Sequence, residues 1–88
     1  MSELREHRIK RMKMRSMRRG IKEMDLILQR FAEGHLDEMD DASLDRYDAL
    51  LSENDHDIYQ WVSGQTPAPE PFVKLIGDII ADLPQTRV

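Results

Sequence analysis

The sequence lacks cysteine, and it has few of the patterns that mark membrane or nucleotide-binding proteins. Without cysteine, disulfide bonds, thiolate metal sites and cysteine nucleophiles are excluded, and the chain suits a reducing compartment. No apolar run approaches the roughly 18 residues of a membrane-spanning helix, so we expect no membrane insertion. Only four glycines are present, and none lies in a loop of the kind that cradles phosphate groups.

The length and the distribution of charge define what the chain can build. Its 88 residues allow one domain, so we predict a single helical domain over 1–88, with its core in about 5–83 and a loose C-terminal tail over 84–88. Residues 1–30 carry a net charge of +6 and the remaining residues one of −10, which gives −4 overall. The purpose of this division is the main question that the composition raises.

Apolar residues recur at helical spacing in five segments, and no segment alternates with the period of two that marks a strand. The segments run from Ser2 to about Arg18, from Ile21 to about Glu33, from near Asp41 or Ser43 through Leu51, from Asp55 to Ser63 and from Pro71 to Leu83. Gly34 is predicted to cap the second helix and Gly64 to end the fourth. We therefore predict an all-α protein, a small bundle of about five helices.

Four arginines lie on one face of the first predicted helix. Arg8, Arg11, Arg15 and Arg18 follow one another at spacings of three, four and three residues. Such a face can contact phosphates, can be solvated or paired with the acids of residues 37–57, or can dock on an acidic protein surface. No helix-turn-helix or RNA-binding signature accompanies it, and the acidic net charge disfavours a dedicated nucleic-acid binder.

The ionisable residues form no recognisable catalytic or metal-binding arrangement. His7, His35 and His56 lack the spacing of metal ligands. Carboxylates crowd in the linker over residues 37–41, where they are usually solvated, and so small a chain has little room for the cleft that acid–base catalysis needs. We therefore expect no metal, no catalytic residue and no enzymatic activity.

The segment between the first two predicted helices differs from these patterns. Gly20 interrupts the helical periodicity where the chain must turn, and a positive φ angle is expected there. Arg19 precedes this glycine and Glu23 follows it. If the turn is tight, both side chains project from one corner, or they form an ion pair with each other.

Arg19-Gly20-x-x-Glu23 resembles the R-G-x-x-E signature of the SdhE family, the succinate dehydrogenase assembly factors that promote covalent flavinylation. The whole run from Arg18 to Leu28 is similar to the longer pattern around that signature. Further likenesses follow in the same order: Phe31, the leucine pair that ends Asp45–Leu51, the aromatic-x-Trp-hydrophobic-x-Gly pattern within Ile58–Gly64, a proline-rich connector and a final helix. The resemblance extends over about residues 5–83.

The resemblance implies both a fold and a function. The expected fold is a small bundle of about five helices. The expected function is to bind the flavoprotein subunit of succinate dehydrogenase, with fumarate reductase as a further candidate, and to promote covalent attachment of FAD to a histidine of that subunit. A chaperone of this kind binds no cofactor stably, since FAD is handled on the flavoprotein. We expect a monomer that binds no nucleic acid, and direct contact with FAD stays open.

The resemblance also indicates which residues meet the partner. Gly20 would allow close backbone approach, Arg19 would form fork-shaped hydrogen bonds, and Glu23 would accept a hydrogen bond or orient Arg19. Together with the neighbouring basic face, the predicted partner-binding residues are Arg11, Arg15, Arg18, Arg19, Gly20, Glu23 and Asp25. Asp25 can instead cap or pair locally. Leu26 lies off the main apolar stripe of its helix and is a further candidate contact.

One alternative function belongs to another class. A regulator whose basic helix binds nucleic acid, or an antitoxin-like protein, would use the same arginine face. Binding to nucleic acid would weaken steeply with salt, which separates this alternative from docking on a protein.

The basic N-terminal segment bears on the expected location. It partly resembles a mitochondrial transit peptide, but transit peptides avoid acids, and Glu3 and Glu6 are acidic. We therefore expect a bacterial cytoplasmic protein, and the mitochondrial matrix only if the chain is eukaryotic.

Overall fold

Five α-helices make up most of the computed structural model, which describes residues 3–83. In chain order they are α1 (Arg5–Arg15), α2 (Lys22–His35), α3 (Asp41–Leu51), α4 (Asp55–Ser63) and α5 (Val73–Asp82). Short 3₁₀ turns at Leu36–Glu38 and Glu70–Phe72 precede α3 and α5. No strand occurs within residues 3–83, and the predicted all-α class with about five helices is confirmed.

Two parts of the prediction concern residues outside this range. The predicted helix start at Ser2 and the predicted tail over 84–88 lie outside the described residues. Within them, the helices share one hydrophobic core. A single domain over the whole chain stays a prediction. No helix of residues 3–83 has both the length and the apolar composition required to cross a membrane.

The apolar stripes of the five helices meet in this shared core. Its fully buried members include Met12 of α1, Met24 and Leu28 of α2, Leu44, Tyr47 and Leu50 of α3, Ile58 of α4 and Ile79 of α5. Trp61 stacks on Phe72 at the edge of the core, with ring centroids 5.9 Å apart. Because helices of nine to fourteen residues are marginal alone, this burial is what stabilises them.

The second half of the chain folds close to its predicted boundaries. α4 spans the predicted residues, with the Asn54 side chain capping its first turn and Gly64 ending it in the left-handed region at φ 83°. α3 begins where predicted but is capped by Asp40, whose carboxylate accepts a hydrogen bond from the backbone N–H of Ser43. Local capping chemistry therefore defines these ends.

In the first half of the chain, the C-terminal ends of α1 and α2 differ from the prediction. α1 stops at Arg15, three residues earlier than predicted. The next residue, Ser16, is fully buried, and its hydroxyl donates to the carbonyl of Met12 at 2.8 Å. Gly34 was predicted to end α2 but lies inside it, because the helix continues through His35 into a 3₁₀ turn.

The packing of α1 determines where the turn after it lies. α1 contacts α2 and α3, and α2 also contacts α4 and α5. The connection between α1 and α2 consequently lies beside the junction of α3 and α4, where Arg19 reaches the carbonyl of Leu51. Residues 16–25, called the corner below, therefore combine a turn, the start of α2 and contacts to two other helices.

Candidate functional site

The corner turns at Arg18 and not at Gly20. Arg18 has a φ of 56°, the only positive φ at a non-glycine residue within residues 3–83, whereas Gly20 stays outside the left-handed region. The backbone N–H of Arg18 donates to Asp25 Oδ1 at 2.8 Å. This bond to the first turn of α2 offsets the cost of about 1–2 kcal/mol that a side chain incurs in this conformation.

Arg19 points into the protein. Its Nε and Nη2 both lie 2.8 Å from Asp55 Oδ1, and its Nη1 donates to the carbonyls of Arg15 at 3.0 Å and Leu51 at 3.2 Å. The Arg19 side chain is only 11% exposed and that of Asp55 16%. A guanidinium with acceptors on three helices links the ends of α1 and α3 to the start of α4.

Gly20 meets the same carboxylate. Its backbone N–H donates to Asp55 Oδ2 at 2.6 Å. A Cβ at this position would lie 3.1 Å from that oxygen, which is tighter than ordinary van der Waals contact. The close approach that glycine permits here is therefore an approach to Asp55 within the chain.

The outward side of the corner presents charged and apolar groups to solvent. Arg18 and Glu23 are exposed, and so is Leu26, which directly follows the corner and is 61% exposed. Within residues 3–83 the side chains of Arg18 and Glu23 have no hydrogen bond or ion pair. Glu23 and Leu26 are three residues apart and so share a face of α2.

Five of the six Lys and Arg residues of α1 are paired with acids elsewhere in the chain, and the sixth, Lys10, is exposed and has no ion pair within residues 3–83. The pairs are Arg5 with Asp41, Arg8 with Asp45, Arg11 and Arg15 with Asp48, and Lys13 with Asp37. Asp48 accepts from Arg11 Nη2 at 3.0 Å and from Arg15 Nη1 at 2.8 Å. Of the interpretations left open for the arginine face, the structure shows pairing with the acids of residues 37–57 for Arg8, Arg11 and Arg15, but not for Arg18.

Asp48 is the electrostatic centre of this contact between α1 and α3. The hydrogen bond from Arg11, followed by the positive charges of Arg11, Arg15 and Arg8, holds the pKa of Asp48 below its usual value of 3.8. The hydrogen bonds that Arg11 donates to Asp48 and Glu3 in turn raise the pKa of Arg11. Both partners therefore stay charged at neutral pH.

A buried polar group lies beneath the corner. The hydroxyls of Ser16 and Tyr47 are 2.6 Å apart, and the Tyr47 hydroxyl reaches the carbonyl of Leu28 at 3.4 Å. Burial raises the pKa of Tyr47 to about 12. The group ties the end of α1 to α2 and α3, and it satisfies the one buried polar residue of the core.

The predicted partner-binding residues divide into two groups. Arg18, Arg19, Gly20 and Asp25 come together in the corner through backbone and side-chain hydrogen bonds, and Glu23 lies on its exposed side. Arg11 and Arg15 belong to the second group, since their side chains pair with Asp48 of α3. Glu23 does not orient Arg19, because Asp55 does.

Sequence analysis missed Asp55 and Ser16. Asp55 was visible only as the first residue of a predicted helix, and its contact with Arg19 joins positions 36 residues apart. Ser16 carried no signal, because serine at a helix end is common and its burial depends on α3. Among the described residues no group of His, Asp and Glu could hold a metal ion.

The sequence matches one protein-family model and a set of curated proteins. The family model described as flavinator of succinate dehydrogenase matches residues 10–84. Curated relatives carry the name succinate dehydrogenase assembly factor 2, mitochondrial. One from Meyerozyma guilliermondii is 48% identical over 71 residues, covering 77% of this chain and 53% of the relative. One from Schizosaccharomyces pombe is 44% identical over 70 residues, covering 80% and 50%. One from Danio rerio is 34% identical over 80 residues, covering 89% and 51%.

Two facts follow from these comparisons. The chain spans about half the length of the curated relatives described above. The expectation of a bacterial cytoplasmic protein is contradicted, because these relatives are mitochondrial proteins of fungi and a fish. That expectation depended on Glu3 and Glu6, but Glu6 lies in α1 and Glu3 bonds to Arg11. These acids belong to the folded bundle and carry no information about targeting.

Proposed function

The chain belongs to the family of succinate dehydrogenase flavinators, and on this premise we propose that it binds the flavoprotein subunit of succinate dehydrogenase. It promotes covalent attachment of FAD to a histidine of that subunit and acts as a monomer, one copy to one flavoprotein. Fumarate reductase is a second candidate client.

The observation that carries the assignment of the docking surface is the contrast between the corner and the arginines of α1, all of which have an acidic partner. Five basic residues of α1 are paired with acids of the same chain. The side chains of Arg18 and Glu23 have no such pairing within residues 3–83, although internal bonds hold the backbone around them. A rigid backbone with exposed, unpaired charges is the arrangement that a protein interface uses for orientation.

The flavin stays on the flavoprotein in this proposal. The corner does not fit a dinucleotide, because the backbone N–H of Gly20 already donates to Asp55. Glu23 and Asp25 also place two carboxylates in the first turn of α2, where they would repel a pyrophosphate. In this proposal, every bond made or broken belongs to the flavoprotein and its FAD.

The contribution of this chain is then one of binding. Docking of a preorganised corner favours the conformer of the flavoprotein in which its histidine and its flavin are aligned, since a ligand shifts a population toward the state it binds better. Holding two reacting groups in register can lower a barrier by several kcal/mol without a catalytic residue on the binding partner. No enzymatic role for this chain is needed.

The nucleic-acid alternative has less support. Phosphate contacts by Arg8, Arg11 and Arg15 would each require breaking an ion pair with Asp45 or Asp48. Since an acidic partner already occupies these guanidinium groups, the affinity for phosphates along this helix is reduced.

The test is co-expression of the chain with the flavoprotein, followed by measurement of flavin fluorescence in denaturing gels. Glu23→Ala is expected to reduce covalent flavin severalfold, because it removes a charge from the docking surface without touching the core. The matched control is Glu33→Ala, which removes an exposed glutamate from the far end of the same helix and should leave covalent flavin unchanged. Full covalent flavin with a folded Glu23→Ala variant would show that the corner is not the docking surface.

A further inference from the structure

We propose that the two adjacent arginines of the corner have different tasks. Arg19 is a positioning residue that acts through Asp55 and does not touch the partner, whereas Arg18 binds a carboxylate on the flavoprotein. This assignment rests on the proposed function, and it identifies Asp55 as a further residue required for docking.

The contacts of Arg19 show why it is not available to a partner. Its guanidinium already has acceptors on Arg15, Leu51 and Asp55, and its side chain is 11% exposed. Binding a partner through it would break charge-assisted hydrogen bonds in a largely dry site and leave the Asp55 carboxylate without its cation. The outward-facing alternative, Arg18, loses no contact of its side chain on binding.

Asp55 has the position and the acceptors to shape the corner. One of its oxygens bonds to the Arg19 guanidinium and the other to the backbone N–H of Gly20. It is the first residue of α4, where the helix dipole favours a carboxylate. Loss of this carboxylate would release both Arg19 and Gly20, and with them the backbone that carries Arg18.

Arg18 is placed outward by its backbone. Its left-handed φ and the bond from its N–H to Asp25 direct the chain so that Arg19 turns inward while Arg18 remains exposed. A guanidinium in solvent presents a planar fork of donors that matches a carboxylate in two parallel hydrogen bonds. An acidic side chain on the flavoprotein is therefore the expected counterpart.

The experiment measures the dissociation constant for purified flavoprotein by calorimetry. Arg18→Gln should weaken binding about tenfold with an unchanged unfolding midpoint. Arg18→Lys should restore only part of the affinity, because it supplies a charge without the fork. Arg46→Gln is the matched control: Arg46 is an exposed arginine of α3, without an ion pair within residues 3–83, and its loss should change neither quantity.

A double-mutant cycle separates positioning from contact. If Arg19 acts only through Asp55, then Arg19→Gln weakens binding by itself but has no further effect in the Asp55→Asn background. If Arg19 contacts the partner, the losses multiply. The same variants are compared at concentrations of folded protein matched by circular dichroism, so that instability alone does not change the dissociation constant.

Nuclear magnetic resonance of the arginine Nε–H groups of the wild-type chain covers the case in which variants unfold. The Arg19 signal should persist at the same position when flavoprotein is added, and the Arg18 signal should shift. An unaffected Arg18→Gln variant, multiplying losses, or a shifted Arg19 signal with an unchanged Arg18 signal would each overturn the assignment. Failure of the wild-type chain to bind flavoprotein would overturn the proposed function as well.

Discussion

At the scale of single residues, one carboxylate organises the corner. Asp55 accepts from both Arg19 and Gly20, so the two residues that drew attention in the sequence are explained in part by a third that did not. Sequence reasoning could link Arg19 only to neighbours within a helical turn, and it chose Glu23. A contact between positions 36 apart depends on how α4 packs, which no local pattern encodes.

The position of the turn shows a similar limit. A positive φ was predicted at Gly20 because glycine adopts it without steric cost, but Arg18 adopts it. The carboxylate of Asp25 stabilises this backbone, and Gly20 is required for a different reason, the close approach of Asp55. The sequence therefore showed that a glycine is required near this turn, but tertiary contacts determine why it is required.

Tyr47 should make the stability of the bundle depend on alkaline pH. Burial raises its pKa to about 12 from the ordinary value of 10.0. Because the neutral hydroxyl is favoured in the fold, its stabilising contribution is fully present below about pH 10 and is lost as the pH rises toward 12. The free energy of unfolding, measured by urea titration at several pH values, should fall by about 2 kcal/mol across this window.

Tyr47→Phe supplies the control, because it keeps the ring and removes the titrating group. Its free energy of unfolding should fall less over the same pH range, and the difference between the two curves isolates Tyr47 from the other groups that titrate there. Parallel curves would contradict the prediction.

At the scale of helices, apolar periodicity predicted the elements well where a stripe is strong. α3 buries the apolar residues that recur at helical spacing in its segment, Leu44, Tyr47, Leu50 and Leu51, because one side of a short helix must meet the core. The end of α1 was not predicted, since it depends on Ser16 reaching Tyr47 on another helix. The apolar residues of a helix can be recognised from local spacing in the sequence. A contact that ends a helix often involves a residue far away in the sequence, and local spacing does not reveal it.

Substitution of alanine for Gly64 and for Gly34 should change the free energy of unfolding in opposite directions. Gly64 ends α4 at φ 83°, where a Cβ has open space but the backbone conformation is strained for alanine. Gly64→Ala should therefore lower the free energy of unfolding by about 1 kcal/mol. Gly34 lies within α2, and a Cβ added there would meet no neighbouring atom within 4 Å, so Gly34→Ala should raise the free energy of unfolding by up to about 1 kcal/mol.

The pair forms its own control, because the same methyl group is added at two positions with open space. Urea unfolding of both variants beside the wild-type chain measures the effect. A stabilised Gly64→Ala variant would show that the left-handed conformation does not limit the end of α4, and a destabilised Gly34→Ala variant would show that Gly34 is not a helical position.

At the scale of the whole molecule, the division of charge along the sequence corresponds to a contact between two helices of the same chain. The basic α1 lies on the acidic α3, and ion pairs of Arg5, Arg8, Arg11 and Arg15 with aspartates of α3 join part of the basic segment to part of the acidic one. Arg18 and Glu23 at the corner carry charges that no ion pair within residues 3–83 neutralises. From the sequence, solvation, internal pairing and docking on a protein all stayed open, whereas the acidic net charge disfavoured phosphate binding.

Family membership and location differ in how far a sequence reveals them. The resemblance built on Arg19, Gly20 and Glu23 is confirmed by the family match over residues 10–84. The location was wrong, because it was inferred from acids that belong to the folded bundle. The residues that form a fold also identify a family, but a targeting signal recognised by a transport receptor does not depend on those residues.

Asp48 should make the stability of the whole bundle depend on salt. Its two partners, Arg11 and Arg15, come from α1, so Asp48→Asn weakens the contact between the basic and acidic halves. Partly exposed pairs contribute up to about 1 kcal/mol each, and Asp48→Asn should lower the free energy of unfolding by about 1 kcal/mol at 50 mM NaCl. At 500 mM NaCl the Debye length shrinks to about 4 Å, and the loss should fall below half of that value.

Asp57→Asn is the control. Asp57 is an exposed aspartate of α4 without an ion pair within residues 3–83, and its substitution should change the free energy of unfolding little at either salt concentration. An Asp48→Asn effect that does not depend on salt would mean that packing, and not charge, joins α1 to α3.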